Sequence, residues 1–230
     1  MTFSILVCDR KSGALAGAAA TGSLCVGGWV LRGGVASGLV ASQGTAPSTF
    51  WRDDILRRME GGATADQAVA TVTGADPGRG YRQVIALDQN GGTGAHTGAD
   101  SVAFAGHKAG ADMVVAGNML AGAHVLDALL EGFLAANDTL PDRLISALRA
   151  AELAGGDSRG LQSAALLMLS PDAPPLDLRI DHAADPVPAL ADLLARTRAQ
   201  PYSGWLDVVP VSEDRTRAPA PARSIDAAES

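Results

Sequence analysis

Thr2 stands directly ahead of an apolar run, Phe3-Ser4-Ile5-Leu6-Val7-Cys8. Removal of Met1 would leave this threonine with a hydroxyl and a free α-amine on one residue. The hydroxyl can attack a carbonyl, and the amine, with an ordinary pKa of about 7.7–8.0, can take the proton near neutrality. The alternative is a plain chain start without chemistry. Three other stretches hold residue types that would complete such a site. Asp76-Pro77-Gly78-Arg79, with Arg82-Gln83 after it, puts two guanidinium groups ahead of an apolar strand. Arg79 and Arg82 can hold a substrate carboxylate through paired hydrogen bonds, or they can pair with Asp76 or Asp100. Gly117-Asn118 follows an apolar run, so its backbone N–H groups or the Asn118 amide can line an oxyanion hole or simply make a turn. Gly155-Gly156-Asp157-Ser158-Arg159-Gly160, with Gln162-Ser163 beyond, is the richest loop. Its glycines let backbone approach a ligand. Asp157 can orient the Thr2 amine, Arg159 can bind an anion, and Ser163 can contact substrate. A helix end accounts for Gly155 and Gly156 but not for the polar residues.

Other chemistries find less support. Asp177, Asp181, His182 and Asp185 lie close in sequence, but no metal-ligand spacing such as His-x-x-x-His or Cys-x-x-Cys occurs, so no metal and no cofactor is expected. No Gly-x-Ser-x-Gly elbow marks a serine hydrolase. The two cysteines, Cys8 and Cys25, read as reduced thiols of a cytoplasmic protein. A net charge of −7 with 4% aromatic residues argues against nucleic-acid binding. Residues 12–31 carry no charge, yet glycine pairs and alanines break the run, so buried strands rather than a membrane anchor are expected.

The elements that must position these groups follow from the apolar runs. Strands are expected at 3–8 and 14–20, joined by the turn Asp9-Arg10-Lys11-Ser12-Gly13, and at 24–31 and 35–42. This hairpin folds Thr21 back beside Thr2, and the later strand ends at Gln43 and Gly44. The strands are apolar on both faces, so both faces need cover. Helices are expected after Pro47-Ser48-Thr49 and after Thr64, each stopped by glycine. Strands resume at 81–87, 93–97, 101–105 and 113–116. Helices at 123–136 and 140–154, strands at 162–169 and 176–181, and a helix at 186–199 complete the order. Strands and helices fall in blocks, which favours an α+β fold with two mainly antiparallel sheets between helical layers over an alternating one. Residues 1–211 read as one domain and 212–230 as a peripheral tail rich in proline and alanine. With 44 alanines and 27 glycines, close approach of sheets and helices is easy.

The motifs together resemble one family. Thr2-Phe3-Ser4-Ile5, Ala41-Ser42-Gln43-Gly44, Asp76-Pro77-Gly78-Arg79 with Arg82-Gln83, Ala116-Gly117-Asn118-Met119-Leu120 and the 155–164 loop look like the bacterial domain-of-unknown-function family numbered 1028, grouped with the N-terminal nucleophile (Ntn) hydrolases. The resemblance spans about residues 2–199. It implies a four-layer αββα sandwich and, at superfamily level only, amide-bond hydrolysis. Threonine hydrolases of that superfamily often use a nearby lysine, whereas this chain has only Lys11 and Lys108. The expected function is cleavage of an amide in a small, carboxylate-bearing substrate, with Thr2 as nucleophile and Gly44 or Asn118 at the oxyanion. Arg79, Arg82, Thr21, Gln43, Arg159 and Ser163 would contact substrate. The alternative is a small-metabolite-binding protein that keeps the fold without catalysis. A homodimer is expected, anchored by an exposed residue among Trp29, Trp51 and Trp205.

Overall fold

Alternation along the first strand already sorts side chains between two environments. In the computed structural model, which describes residues 2–156 and 160–220, β1 (Thr2–Asp9) and β2 (Ala14–Thr21) form the expected antiparallel hairpin. Its turn is tied by the Asp9 carboxylate, which accepts from the Lys11 N–H and the Ser12 hydroxyl. These bonds, Ser12's first, hold the Asp9 pKa below its ordinary value. Phe3, Ile5 and Val7 point one way, while Ser4 and Leu6 point the other. Gly17 leaves room for Leu6, since a Cβ there would meet the Leu6 side chain at 2.6 Å.

The chain then departs from expectation. Residues 24–30 do not form a strand. Instead α1 (Val26–Trp29) makes one helical turn before β3 (Leu31–Gly34) and β4 (Gly38–Gly44). Three things bend the backbone there. Cys25 takes a left-handed conformation (φ 58°), its N–H bonds the Asp181 carbonyl, and the Val26 N–H bonds the Ser163 hydroxyl.

Helices α2 (Thr49–Glu60) and α3 (Ala65–Gly74) start where their caps predict. Ser48 accepts from the Trp51 N–H, and Thr64 with Gln67 forms a reciprocal capping box. A 3-10 turn, Arg79–Tyr81, leads into β5 (Arg82–Leu87) and β6 (Thr93–Thr97). The next strand is β7 (Gly106–Gly110), not 101–105. Residues 101–105 instead lie along the residues that follow β8 (Met113–Asn118), with Phe104 and Leu120 exchanging backbone bonds. Then come α4 (His124–Ala135), α5 (Leu140–Leu153), β9 (Ser163–Leu169), β10 (Leu176–Ile180), α6 (Pro186–Thr197) and a short α7 (Tyr202–Leu206) that the sequence reading did not anticipate.

The strands form two antiparallel sheets in an α+β protein. One has the order β10-β9-β2-β1-β8-β7, the other β3-β4-β5-β6. Buried apolar residues gather in three clusters. Phe3, Ile5, Ala16, Ala18 and Leu166 of the larger sheet pack with Leu129, Leu144, Leu148 and Leu190 of α4, α5 and α6. Leu6, Leu15 and Val114 pack with Leu39, Ile85 and Leu87 of the smaller sheet. Val40, Val84 and Ala86 pack with Trp51, Ile55 and Val69 of α2 and α3. At the chain's far end the Glu213 N–H bonds the Pro171 carbonyl and Arg217 bonds the Val209 carbonyl, which ties this stretch to the β9–β10 turn and to residues just before it. Among the described residues no helix is long and apolar enough to cross a membrane.

Candidate functional site

β1 is an inner strand, so its first residue is held from both sides. Thr2 pairs in register with Thr21 of β2 and with Asn118 of β8. Its hydroxyl oxygen lies 3.0 Å from that of Thr21. Both line a cleft of about 390 Å³ with Ser23, Leu24, Val26, Trp29, Val30, Gln43, Gly44, Thr45 and Pro47. Among the described residues the lining holds hydroxyl, amide and apolar groups and no ionisable side chain.

Behind Thr2 runs a buried chain of amides between the two sheets. Gln43 donates to the Thr2 carbonyl (3.4 Å) and to Gln83 Oε1 (2.8 Å), and accepts from the Ser4 hydroxyl (2.8 Å). Gln83 Oε1 also accepts from Asn118 Nδ2 at 3.1 Å. Gln83 Nε2 has three acceptors within 3.0 Å: Thr97 Oγ1 and the Gly106 and Gly117 carbonyls. Thr97 Oγ1 in turn lies 2.9 Å from His107 Nδ1. Partial burial, and after it the nearby His96, hold the His107 pKa below 6.5. Buried polar groups with their partners satisfied fix one arrangement of the surrounding strands.

The expected site residues divide. Thr2, Thr21, Gln43 and Gly44 meet at the cleft. Gly44 has φ 121°, and a Cβ there would meet the Tyr81 carbonyl oxygen at 2.9 Å, so the end of β4 admits only glycine without strain. Asn118 is 3% exposed, and its amide is spent on Gln83 rather than on the cleft. Arg82 pairs with Asp76 (2.9 Å), donates to the Ala46 carbonyl and lies over the Trp51 ring. Arg79 is exposed, and neither arginine lines the cleft. Ser163 is fully buried; it donates to the Ser23 carbonyl and accepts from the Val26 N–H, holding α1 in place. Asp157 and Arg159 lie outside the described residues. Ser4 and Gln83 were not foreseen as site-building residues, although each is a polar break in an apolar strand. Of the tryptophans, Trp51 is buried, whereas Trp29 and Trp205 are exposed.

A second, larger cavity of about 760 Å³ opens between α2 and α3, lined by Phe50, Asp54, Arg57, Arg58, Asp76 and Arg82 among others. Among the described residues no group of three or more His, Cys, Asp or Glu side chains is gathered for a metal ion.

Fold and cleft together define an α+β protein of two antiparallel sheets, with a threonine at the start of an inner strand opening onto a cleft whose described lining carries no ionisable side chain. The chain belongs to the family of unknown function DUF1028, whose family model matches residues 2–190. It is similar to protein SPO2555 from Silicibacter pomeroyi, a crystal structure assigned to the same family, at 46% identity over 96% of each chain with a TM-score of 0.92. No curated protein matches.

Proposed function

We propose that this protein is an Ntn-type amide hydrolase that uses Thr2, freed of Met1, as its nucleophile. The observation that carries the reading is the seat of Thr2: held between two strands, its hydroxyl 3.0 Å from that of Thr21, at the edge of a cleft. In this reading the Thr2 oxygen bonds to the substrate's carbonyl carbon and its proton passes to the Thr2 α-amine. Collapse of the tetrahedral intermediate breaks the C–N bond, and the ammonium returns the proton to the departing amine. Water then cleaves the threonyl ester by the same route. In this reading the backbone at Gly44, which lines the cleft, serves as oxyanion donor, since the Asn118 amide nitrogen is committed to Gln83. The three apolar clusters support the four-layer αββα arrangement of that class.

The lysine that such enzymes often use is missing from the cleft. Lys11 sits in the β1–β2 turn, and Lys108 pairs with Asp127. No lysine is therefore at hand to help, and in this reading the α-amine carries the proton. A substrate carboxylate, if gripped by Arg79, lies outside the cleft. The lack of ionisable side chains among the described lining residues also favours the second reading, in which the cleft binds a small metabolite without cleaving it. Intact mass shows whether Met1 is removed. The protein with Thr2 exposed is expected to hydrolyse at least one member of a panel of small amides, and Thr2→Ala to lower that turnover by about a thousandfold or more. Equal turnover by both removes Thr2 as nucleophile, and binding without turnover supports the second reading.

A further inference from the structure

We infer that α1 is the recognition element of the cleft: Trp29 offers the surface on which a flat, uncharged group of the ligand lies, and Arg52 positions it. Only the identity of the bond cleaved rests on the hydrolase reading; the recognition does not.

Trp29 is 53% exposed and Leu24 52% exposed, yet both line the cleft. A large aromatic side chain left open in a concave site is a binding surface more than a core element. The chain holds this turn at a cost. Cys25 adopts a left-handed conformation that non-glycine residues rarely take, and such strain collects at functional sites. Ser163 bonds both sides of the turn, through the Ser23 carbonyl and the Val26 N–H.

Arg52 is the more telling group. It is 3% exposed and donates through one nitrogen to the Gly28 carbonyl (2.7 Å) and the Trp29 carbonyl (2.6 Å). Its Nε has no partner, and among the described residues no carboxylate is bonded to it. The nearby carboxylate Asp53 is paired with Arg32. A buried cation with an orphaned N–H is expensive where an apolar side chain would fill the same space. What the guanidinium adds is a fixed grip on two successive carbonyls, and the second belongs to Trp29.

The lining decides the ligand's charge. Apart from the Thr2 α-amine at its edge, the cleft offers a carboxylate no cationic side chain among the described lining residues, and Leu24, Val26, Trp29 and Val30 favour an apolar group there. The exposed hydroxyls of Ser23 and Thr45 can satisfy a neutral amide instead. A volume of about 390 Å³ limits the ligand to a small one. The ligand class is therefore a small amide whose acyl part is uncharged and flat.

The test measures binding on Thr2→Ala, so that turnover cannot intervene. Three probes are titrated: phenylacetamide, cyclohexylacetamide (similar in size but not flat) and succinamate (carboxylate-bearing). Phenylacetamide is expected to bind most tightly and succinamate most weakly. Adding Trp29→Ala should weaken phenylacetamide by about tenfold, the scale of one aromatic contact. Adding Arg52→Met should bring the affinities for phenylacetamide and cyclohexylacetamide together, while Arg52→Lys, which can still reach one carbonyl, keeps part of the difference. Phenylacetamide affinity unchanged by the exposed-site variant Trp29→Ala would overturn the inference. So would succinamate binding as tightly as phenylacetamide, or no probe binding at about ten millimolar. If the binding pattern holds but the Thr2-exposed protein cleaves nothing, hydrolysis fails and this recognition stands.

Discussion

The two cavities flanking residues 45–51 have opposite chemistry. The larger one, between α2 and α3, is rich in charge, but much of that charge is already spent: Arg57 pairs with Asp54, and Arg82 with Asp76. A ligand entering there must break existing bonds. The smaller one has no ionisable side chain among its described lining residues, yet it adjoins a buried amide chain, a strained turn and a buried arginine with an unused N–H. Size and charge mark the first, whereas constraint marks the second. Constraint is the better guide to chemistry, because the fold must offset its cost elsewhere.

Three measurements can break or sharpen this contrast. The largest effect is expected from Gln83→Leu. It leaves Gln43, Asn118, Thr97 and two backbone carbonyls short of partners in the interior, at a cost of about 3 kcal/mol. The urea midpoint should fall with an unchanged slope, and probe binding in the Thr2 cleft should weaken with it. A variant of full stability would show that the amide chain constrains nothing. Arg82→Gln should cost about 1 kcal/mol, since its ion pair is partly solvated. It should leave probe affinity in the Thr2 cleft unchanged, and any change would mean that the two cavities are coupled.

The smallest effect is a pH slope. His107 ends the amide chain, and its pKa in the folded protein lies below 6.5 because burial, then His96, disfavours the cation. Below 6.5 the unfolded chain takes up this proton more readily, so the contribution is present above that pH and is lost as pH falls through the folded value. Denaturant titrations from pH 7.5 downward should show this decline, and His107→Gln should flatten it. An identical slope in the variant would detach His107 from the network.

Local signals in the sequence carried the fold a long way. The β1–β2 hairpin, the Ser48 and Thr64 caps and the block order of strands and helices all rest on short-range chemistry. The misread segments have long-range causes. Residues 24–31 look like a strand because six of the eight are apolar, but Asp181 and Ser163, far along the chain, capture backbone groups there and turn it into α1. β7 carries no apolar pattern and exists because β8 offers it an edge. At the site, the pairing of Thr2 with Thr21 was legible because hairpin register brings strand ends together, whereas Gln43 and Gly44 reach the cleft from β4 of the other sheet. Gln83 stands in a motif without a legible role, and Arg52 in none, because the partners of a buried polar side chain come from distant strands and helices.

The position of β1 has a consequence for the timing of synthesis. Its hairpin partner β2 leaves the ribosome next, but the other neighbour of β1 is β8, and β2 must wait for β9. The cleft's walls are therefore incomplete until residues through Leu169 have been made, roughly ten to thirty seconds after the first at translation speeds of about 5–20 residues per second. Until residues through Asn118 have been made the hairpin has two open edges, and until β9 follows it still has one. A nascent chain thus presents Thr2 first on a strand paired on one side only, and its second neighbour arrives about a hundred residues later.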